Sequence, residues 1–212
     1  MRYYIADCHF YHDALNTEMD FRGFADAEAM NAHMLEKWNA RVRKRDEVVI
    51  LGDLCLGTPQ QTQELLSLVN GKLFLIEGNH DKFLRDRNFA PLAERFEWIL
   101  PYKEIHDHQR KVVLCHYPIH FYNGQYYRDH DGNDKTYMLH GHVHDTQDQR
   151  LVERFEAQVR ETLKEDRGGH LRAIPCQLIN CFCMYSDYTP LTLDEWIENK
   201  RQRSAQPLSP LL

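Results

Sequence analysis

A recurring pattern restricts the fold of this chain: short apolar runs are followed directly by Asp, Asn or His. The clearest case is the run at 73–76, which leads into Gly78-Asn79-His80-Asp81. Apolar runs of this length, closed by Gly, predict buried strands with the polar residues in the loop at the carboxyl end. Four other stretches repeat the pattern: Asp7-Cys8-His9, Gly52-Asp53, His116 and Gly141-His142-Val143-His144. Since functional groups collect at this edge of α/β sheets, five such loops predict one shared site.

Helix signals alternate with the early strands. Met30, Met34, Trp38 and Val42 repeat at four-residue spacing after Asp26, a suitable N-cap, and this indicates a helix with one apolar face. A capping box at 58–61 opens a second helix between strands at 47–51 and 72–76. The strand–helix–strand order predicts an α/β fold with a partly parallel sheet. Further along, the pattern favours a hairpin of 98–106 with 111–115 and strands at 136–140 and 178–185.

The length predicts a single domain over residues 1–203, with a flexible tail over 204–212 that contains two Pro and two Ser. Residues 145–172 are predicted to form a charged helical insertion. Its apolar stripe consists of Val152, Phe155, Val159 and Leu163. Such a stripe needs a cover, and three alternatives are open: packing on the domain itself, a lid over the site, or a homodimer contact.

The composition limits the classes of function. Hydrophobic residues make up 42% of the 212 residues and charged residues 27%, with a formal net charge of −6. These values argue against a protein that coats nucleic acid through a broad basic face. We expect no signal peptide, because the chain begins with a strand, and no membrane span. The six cysteines lack paired zinc spacing, so we expect free thiols and a cytoplasmic protein.

The chemistry of the five strand ends is that of a metal centre. Carboxylate, carboxamide and imidazole groups together favour Mn²⁺, Fe²⁺, Ni²⁺ or Zn²⁺. The seven candidate ligands are Asp7, His9, Asp53, Asn79, His116, His142 and His144. Seven ligands are too many for one ion and suit two ions about 3.5–4 Å apart, bridged by one carboxylate. We therefore expect two divalent ions, with Mn²⁺ favoured and Mg²⁺ also compatible.

In this order, the five motifs resemble those of the calcineurin-like metallophosphoesterases, in particular small bacterial or phage-type members. The segment Tyr188-x-Pro190-Leu191 also looks like the closing segment of that family. The resemblance implies a four-layer αββα sandwich, with two mixed β-sheets flanked by helices. It assigns Asp7, His9, Asp53 and His144 to one ion. It assigns Asp53, Asn79, His116 and His142 to the other, so that Asp53 is the bridge.

The resemblance also implies catalytic roles. His80 would be the general acid beside the phosphate, and Asp81 would orient its ring. His12 and His120 follow ligand motifs by a few residues and are possible substrate contacts. The protein phosphatases of this superfamily carry Asp-Arg-Gly after Gly-Asp and a Glu after Asn-His. Here Leu54-Cys55 and Asp81 stand at those positions, so the Arg that clamps a phosphomonoester is missing and a phosphodiester is favoured.

The leading hypothesis is therefore a dinuclear phosphodiesterase that hydrolyses a small nucleotide-like or other soluble diester. Metal-bridged hydroxide would attack the phosphorus, and His80 would protonate the leaving group. A nuclease is an alternative in which Arg128 and Lys135, in the long loop 117–135, lead nucleic acid to the metals. A phosphomonoesterase is another, and it requires Arg22, Arg85 or Arg128 to reach the site. A metal-binding scaffold without turnover is the non-enzymatic alternative.

Overall fold

The computed structural model describes residues 1–85, 90–166 and 168–205. Its first sheet has the order β1-β2-β3-β4, and every strand pair in it is parallel. The strands are β1 (Arg2–Ile5), β2 (Glu47–Ile50), β3 (Lys72–Ile76) and β4 (Phe96–Leu100). At the edge, an isolated antiparallel bridge joins Tyr4 to Leu191. The parallel sheet follows from the alternation of strands and helices in the sequence.

The second sheet is mixed and has the order β10-β7-β6-β5, in which only β5 and β6 are antiparallel. Its strands are β5 (Tyr102–Asp107), β6 (Arg110–Cys115), β7 (Thr136–His140) and β10 (Leu178–Asn180). A separate hairpin consists of β8 (Leu163–Glu165) and β9 (Leu171–Ala173).

Two strand predictions need correction. The expected strand at 98–106 is two strands, since β4 belongs to the first sheet and β5 to the second. Pro101 lies between them, and its missing N–H favours the break. The expected last strand at 178–185 ends at Asn180, and a 3₁₀ turn, Cys183–Ser186, follows.

Five helices complete the described part of the chain: α1 (Ala27–Arg41), α2 (Pro59–Leu68), α3 (Ala90–Ala93), α4 (Gln147–Glu161) and α5 (Leu193–Ser204). The caps predicted at Asp26 and at 58–61 are confirmed. The Asp26 carboxylate accepts from the Ala29 N–H, and Thr58 and Thr192 each begin a capping box. None of these helices is long and apolar enough to cross a membrane. All six cysteines carry free thiols.

Side-chain alternation in β1 shows how the layers form. Tyr3 and Ile5 pack toward α1 and α2, in a core that includes Met34 and Trp38. Tyr4 and Ala6 point the other way, into a core shared with strands of the second sheet. On the far side of that sheet, Val113 and Met138 pack against α4. Helices, sheet, sheet and helix therefore follow one another, which confirms the predicted αββα sandwich.

The segment 145–172 is only partly helical. Helix α4 ends at Glu161, and the hairpin of β8 and β9 follows it. Val152 and Val159 are buried against the second sheet, whereas Leu163 lies in β8 and is 59% exposed. The domain itself thus covers the buried part of the stripe. Of the predicted tail, residues 206–212 lie outside the described residues.

Candidate metal centre

The loops that follow β1, β2, β3, β6 and β7 meet at one edge of the sandwich. Three of these strands are neighbours in the first sheet and two are neighbours in the second, so their carboxyl ends face the same region. Two groups of side chains lie close enough to hold an ion: Asp7 with His9 and His144, and Asp7 with Asp53 and His116. All of these side chains are buried.

We call Asp7, His9 and His144 the first half-site. The Nε2 atoms of His9 and His144 are 3.2 Å apart, and His144 Nε2 lies 3.8 Å from Asp7 Oδ1. Both oxygens of Asp7 also accept from the backbone N–H of His142, at 3.0 and 3.1 Å. Two imidazole nitrogens that face each other beside a buried carboxylate form a suitable environment for a cation.

The second half-site consists of Asn79, His116 and His142. Its centre is Asn79 Oδ1, which lies 3.0 Å from His116 Nε2 and 2.9 Å from His142 Nδ1. His116 Nδ1 lies 2.8 Å from the Leu51 carbonyl, to which it donates, so Nε2 is the nitrogen that would bind an ion. Asn79 and His142 are exposed, in contrast with the ligands of the first half-site.

Asp53 connects the two half-sites. Its Oδ2 atom lies 3.4 Å from His9 Nε2 and 3.5 Å from His116 Nε2. Its other oxygen, Oδ1, accepts from the His80 backbone N–H at 2.7 Å, which fixes the carboxylate. One oxygen therefore faces both half-sites, as a bridging ligand requires.

These separations fit divalent ions. Ligand atoms about 2.1 Å from one ion are about 3.0 Å apart at octahedral angles and about 3.4 Å apart at tetrahedral angles. The distances within and between the half-sites range from 2.9 to 3.8 Å. The donor set, with carboxylate, amide and imidazole groups, suits borderline or hard cations.

The backbone of the ligands is strained. Asp7, His9, Asp53, His142 and His144 all have φ between 44° and 71°, in the left-handed region that non-glycine residues seldom adopt. Each such residue costs on the order of 1–3 kcal/mol, and such strain persists where surrounding contacts impose it. Five of the seven candidate ligands are strained. This indicates that their side chains are directed toward the centre at a cost in the free energy of unfolding.

Two glycines allow the close approach of the carboxylates. A Cβ atom added at Gly78 would lie 2.2 Å from Asp53 Oδ1, and one added at Gly141 would lie 2.5 Å from Asp7 Oδ2. Any side chain at these positions would displace a ligand. The glycines of the two motifs are therefore steric requirements of the site as well as ends of strands.

Comparison with known proteins agrees with this geometry. A family model described as the calcineurin-like phosphoesterase superfamily domain matches residues 3–159. The chain belongs to that superfamily. With the metal-binding groups described above, this membership makes it a metallophosphoesterase, in the class of the hydrolases.

Two relatives and one solved structure are similar to this chain. The uncharacterized protein MJ1445 of Methanocaldococcus jannaschii is 34% identical over 144 residues, which are 67% of this chain and 68% of that protein. The Gene 66 protein of Mycobacterium phage D29 is 29% identical over 165 residues, which are 67% of this chain and 77% of that protein. The crystal structure of AQ665, a protein of unknown function from Aquifex aeolicus, is 24% identical with a TM-score of 0.60. It covers 93% of this chain and 98% of its own, and it shows the same fold.

The charges of this metallophosphoesterase site depend on one another. Burial raises the pKa of Asp53, but the hydrogen bond and charge of His116 outweigh burial and lower that pKa to about 2. Burial lowers the pKa of His116, but Asp53 and Asp7 outweigh it and raise the pKa to about 9. Burial also holds the pKa of His9 well below its usual value, so this imidazole is neutral. The Asp53 carboxylate is thus negative, whereas burial raises the pKa of Asp7.

The role implied for Asp81 needs correction. Its Oδ2 atom accepts from the N–H groups of Gly78 and Asp53, at 2.8 and 3.0 Å, and its Oδ1 accepts from Leu54 at 2.8 Å. Within the described residues, no hydrogen bond or ion pair joins Asp81 to the ring of His80. Asp81 therefore connects the loops after β2 and β3. Burial and the nearby Asp53 charge raise the pKa of Asp81 to about 6, against the effect of the three N–H groups.

The two predicted substrate contacts lie in different surroundings. The ring of His12 is 5.5 Å from that of His9, and its buried Nδ1 atom has no hydrogen-bond partner in the described part of the chain. The ring of His120 instead lies 4.3 Å from Phe155 of α4. On the same loop, Tyr117 contacts the ligand rings, with ring centroids 4.5 Å from His142 and 5.1 Å from His116.

Sequence reasoning missed Asp20 at the site, and it named Arg22 only as an arginine that could reach a phosphomonoester. Asp20 Oδ1 lies 2.7 Å from His144 Nδ1, and Arg22 donates to the backbone carbonyls of Asp7 and Cys8. The sequence offered only a weak signal, a pair of opposite charges in a loop without periodicity.

Proposed function

We propose that this protein is a dinuclear metal-dependent phosphodiesterase that hydrolyses a small, soluble diester, such as a nucleotide-like compound. The observation that carries the proposal is the position of Asp53, whose Oδ2 atom lies 3.4 Å from His9 Nε2 and 3.5 Å from His116 Nε2. A carboxylate oxygen between two sets of ligands is the arrangement expected of a two-ion site.

The residues would hold the two ions as two half-sites joined by Asp53. Divalent ions bound there would lower the pKa of water and neutralise charge on the phosphoryl oxygens. Mn²⁺ is our first choice, and Fe²⁺, Ni²⁺, Zn²⁺ and Mg²⁺ are the alternatives. Asp7 and Asp53 are held by backbone N–H groups, so their oxygens are positioned before any ion binds.

His80 is proposed to protonate the leaving group. Its backbone N–H holds Asp53, while its ring lies 5.4 Å from that of His9 and has no hydrogen-bond partner among the described residues. An imidazole next to the centre, but not committed to a protein acceptor, can donate its proton to a leaving oxygen. His12 is proposed to contact a phosphoryl oxygen through the ring that lies beside His9.

The preference for a diester rests on the available cations. A monoester carries close to two negative charges, and a guanidinium binds two phosphoryl oxygens at once. Arg22 is committed to Asp20 and to two backbone carbonyls. Arg128 is committed to Asp134 and to the carbonyl of Ala173. The side chain of Arg85 lies outside the described residues.

The surroundings of the long loop favour a small substrate over nucleic acid. A cleft between this loop and the β8–β9 hairpin contains three cations: Arg128, Lys164 and Arg172. The same cleft contains three anions: Asp129, Glu165 and Asp166. Its charges balance, whereas a path for a phosphate backbone would be positive. The free thiols are compatible with action in the cytoplasm, which we propose as the compartment.

Matched aryl substrates test the proposal. The protein is stripped of metal, reloaded with Mn²⁺, Ni²⁺, Mg²⁺ or Zn²⁺, and assayed with bis(p-nitrophenyl) phosphate and with p-nitrophenyl phosphate. These substrates share a leaving group and differ in charge. We expect a higher kcat/KM for the diester. A monoester value equal to or above it replaces the phosphodiesterase with a phosphatase, and two bound ions without turnover of either substrate favour the scaffold.

A further inference from the structure

A buried ion pair lies behind the first half-site. The Asp20 side chain is 1% exposed and the Arg22 side chain 0%. Asp20 Oδ2 accepts from Arg22 Nε at 3.0 Å and from Nη2 at 2.9 Å, a two-point contact. Burial of two opposite charges is costly, and such pairs are weak sources of stability. The remaining contacts of the pair indicate another role.

The free oxygen of Asp20 is directed at a metal ligand. Asp20 Oδ1 lies 2.7 Å from Nδ1 of His144. This contact places the imidazole proton on Nδ1 and leaves the lone pair on Nε2, which is the nitrogen that faces His9 at 3.2 Å. A carboxylate behind a ligating histidine fixes the tautomer and orientation of the ring and raises its basicity.

Arg22 contacts the backbone of the segment that carries the other two ligands. Arg22 Nη1 donates to the carbonyl of Cys8 at 2.7 Å, and Nη2 donates to that of Asp7 at 3.0 Å. These carbonyls belong to the segment that carries Asp7 and His9, both with left-handed φ. Such strained backbone needs fixed partners, and a guanidinium supplies two in one rigid plane.

The second half-site has different support. His116 Nδ1 contacts a neutral backbone carbonyl, that of Leu51. His142 Nδ1 contacts Asn79, another member of the same half-site. In the described residues, no buried Arg–Asp pair contacts its ligands. A charged pair therefore orients the first half-site, whereas neutral groups orient the second.

We propose that Asp20 and Arg22 act together as positioning residues for the first half-site, and that they set its ion affinity independently of the second. This inference rests on the two-ion centre of the proposed function. Loss of either residue should weaken one of two binding steps, by about 10–100-fold, the usual effect of a partner behind a metal ligand. The first half-site should consequently fill first in the unaltered protein.

Calorimetric titration of metal-stripped protein with Mn²⁺ tests the proposal in two variants. Asp20→Asn removes the charge behind His144 at constant size, and Arg22→Lys keeps the positive charge but loses the planar fork. The matched control is Asp131→Asn, an exposed residue whose side chain pairs, among the described residues, with its neighbour His130. We expect one step weakened by about 10–100-fold in both variants, the other within about 3-fold, and the control unchanged. Anomalous scattering from Mn²⁺-soaked crystals identifies the half-site that loses occupancy.

A double-mutant cycle separates positioning from a general structural role. If Asp20 acts through His144, Asp20→Asn should have little further effect on ion affinity in a His144→Ala background. Equal weakening of both steps, or full additivity in the cycle, overturns the proposal. Two ions bound with unchanged affinities in Asp20→Asn also overturn it. By contrast, a wild-type protein that binds no ion refutes the proposed function itself.

One measurement does not depend on whether the Asp20 and Arg22 variants fold. Long-range ¹⁵N–¹H spectra of the wild-type protein loaded with Zn²⁺, a diamagnetic probe, report which nitrogen of His144 carries the proton. The His144→Ala spectrum assigns the signal. A proton on Nδ1 supports the contact with Asp20, and a proton on Nε2 overturns the proposal.

Discussion

The first half-site is buried at all three of its ligands, whereas the second faces solvent at Asn79 and His142. Their supports differ in the same way. The first is backed by a buried ion pair, and the second by hydrogen bonds with the backbone and between its own ligands. With the proposed two ions bound, a buried, charge-supported half would retain its ion, and an open half would exchange solvent for a substrate oxygen. The same ligand types can thus hold an ion in the first half-site and leave the second half-site accessible to substrate.

The largest expected effect comes from the residue that both halves share. In Asp53→Asn an amide replaces one carboxylate oxygen, so a bridging negative charge is lost from both half-sites. We expect both ions to bind weakly and kcat/KM to fall on the order of 10³-fold or more. Elemental analysis with diester turnover provides the measurement. His142→Ala is the comparison, since it should affect chiefly the open half. An Asp53→Asn protein that keeps one ion at wild-type affinity would contradict the shared role.

His80 follows, because its backbone holds the bridge while its ring remains available. In His80→Ala the backbone N–H to Asp53 persists, so both ions should stay bound at wild-type stoichiometry. We expect kcat to fall by about 10²–10⁴-fold, the range for a lost general acid. The loss should be smaller for p-nitrophenyl than for phenyl leaving groups, since the former need less protonation. Equal losses for the two leaving groups would remove the acid role.

The ligands of both halves were predictable because each belongs to a local pattern, an apolar strand followed by a polar loop. The contacts behind them were not. Asp20 meets His144 across 124 residues of sequence, from a loop without periodicity. Asp81 was assigned to the His80 ring by family resemblance, yet its oxygens accept three N–H groups that become neighbours only in the folded chain. The break at Pro101 did have a signal, since proline disrupts strand pairing.

Substitution of Asp81 provides the corresponding test for the second half-site. Asp81 joins the loops that carry Asp53 and Asn79 by accepting backbone N–H groups. In Asp81→Asn, an amide N–H₂ replaces one of the accepting oxygens and faces those donors without an acceptor. We expect occupancy near Asn79 to fall more than occupancy near His144, with an affinity loss of about 10–100-fold. The anomalous signal of Mn²⁺ at each half provides the readout. A greater loss near His144 would reverse our account of which support serves which half.

The smallest effect is expected at the open face of the second half-site. Tyr117 is 47% exposed, and its ring packs against those of His142 and His116. It can therefore contact an aromatic substituent of the diester while leaving the ligands in place. An aromatic pair contributes about 0.5–1.5 kcal/mol, so Tyr117→Ala should raise KM for bis(p-nitrophenyl) phosphate by about 2- to 13-fold. Methyl p-nitrophenyl phosphate has no second ring, and its KM should change less.

Two control variants accompany this test. Tyr117→Phe should behave like wild type, and Phe121→Ala, which alters the packing on Phe155, is the control for the loop. If Tyr117→Ala raises KM equally for both substrates, the ring supports His142 and makes no contact with the substrate.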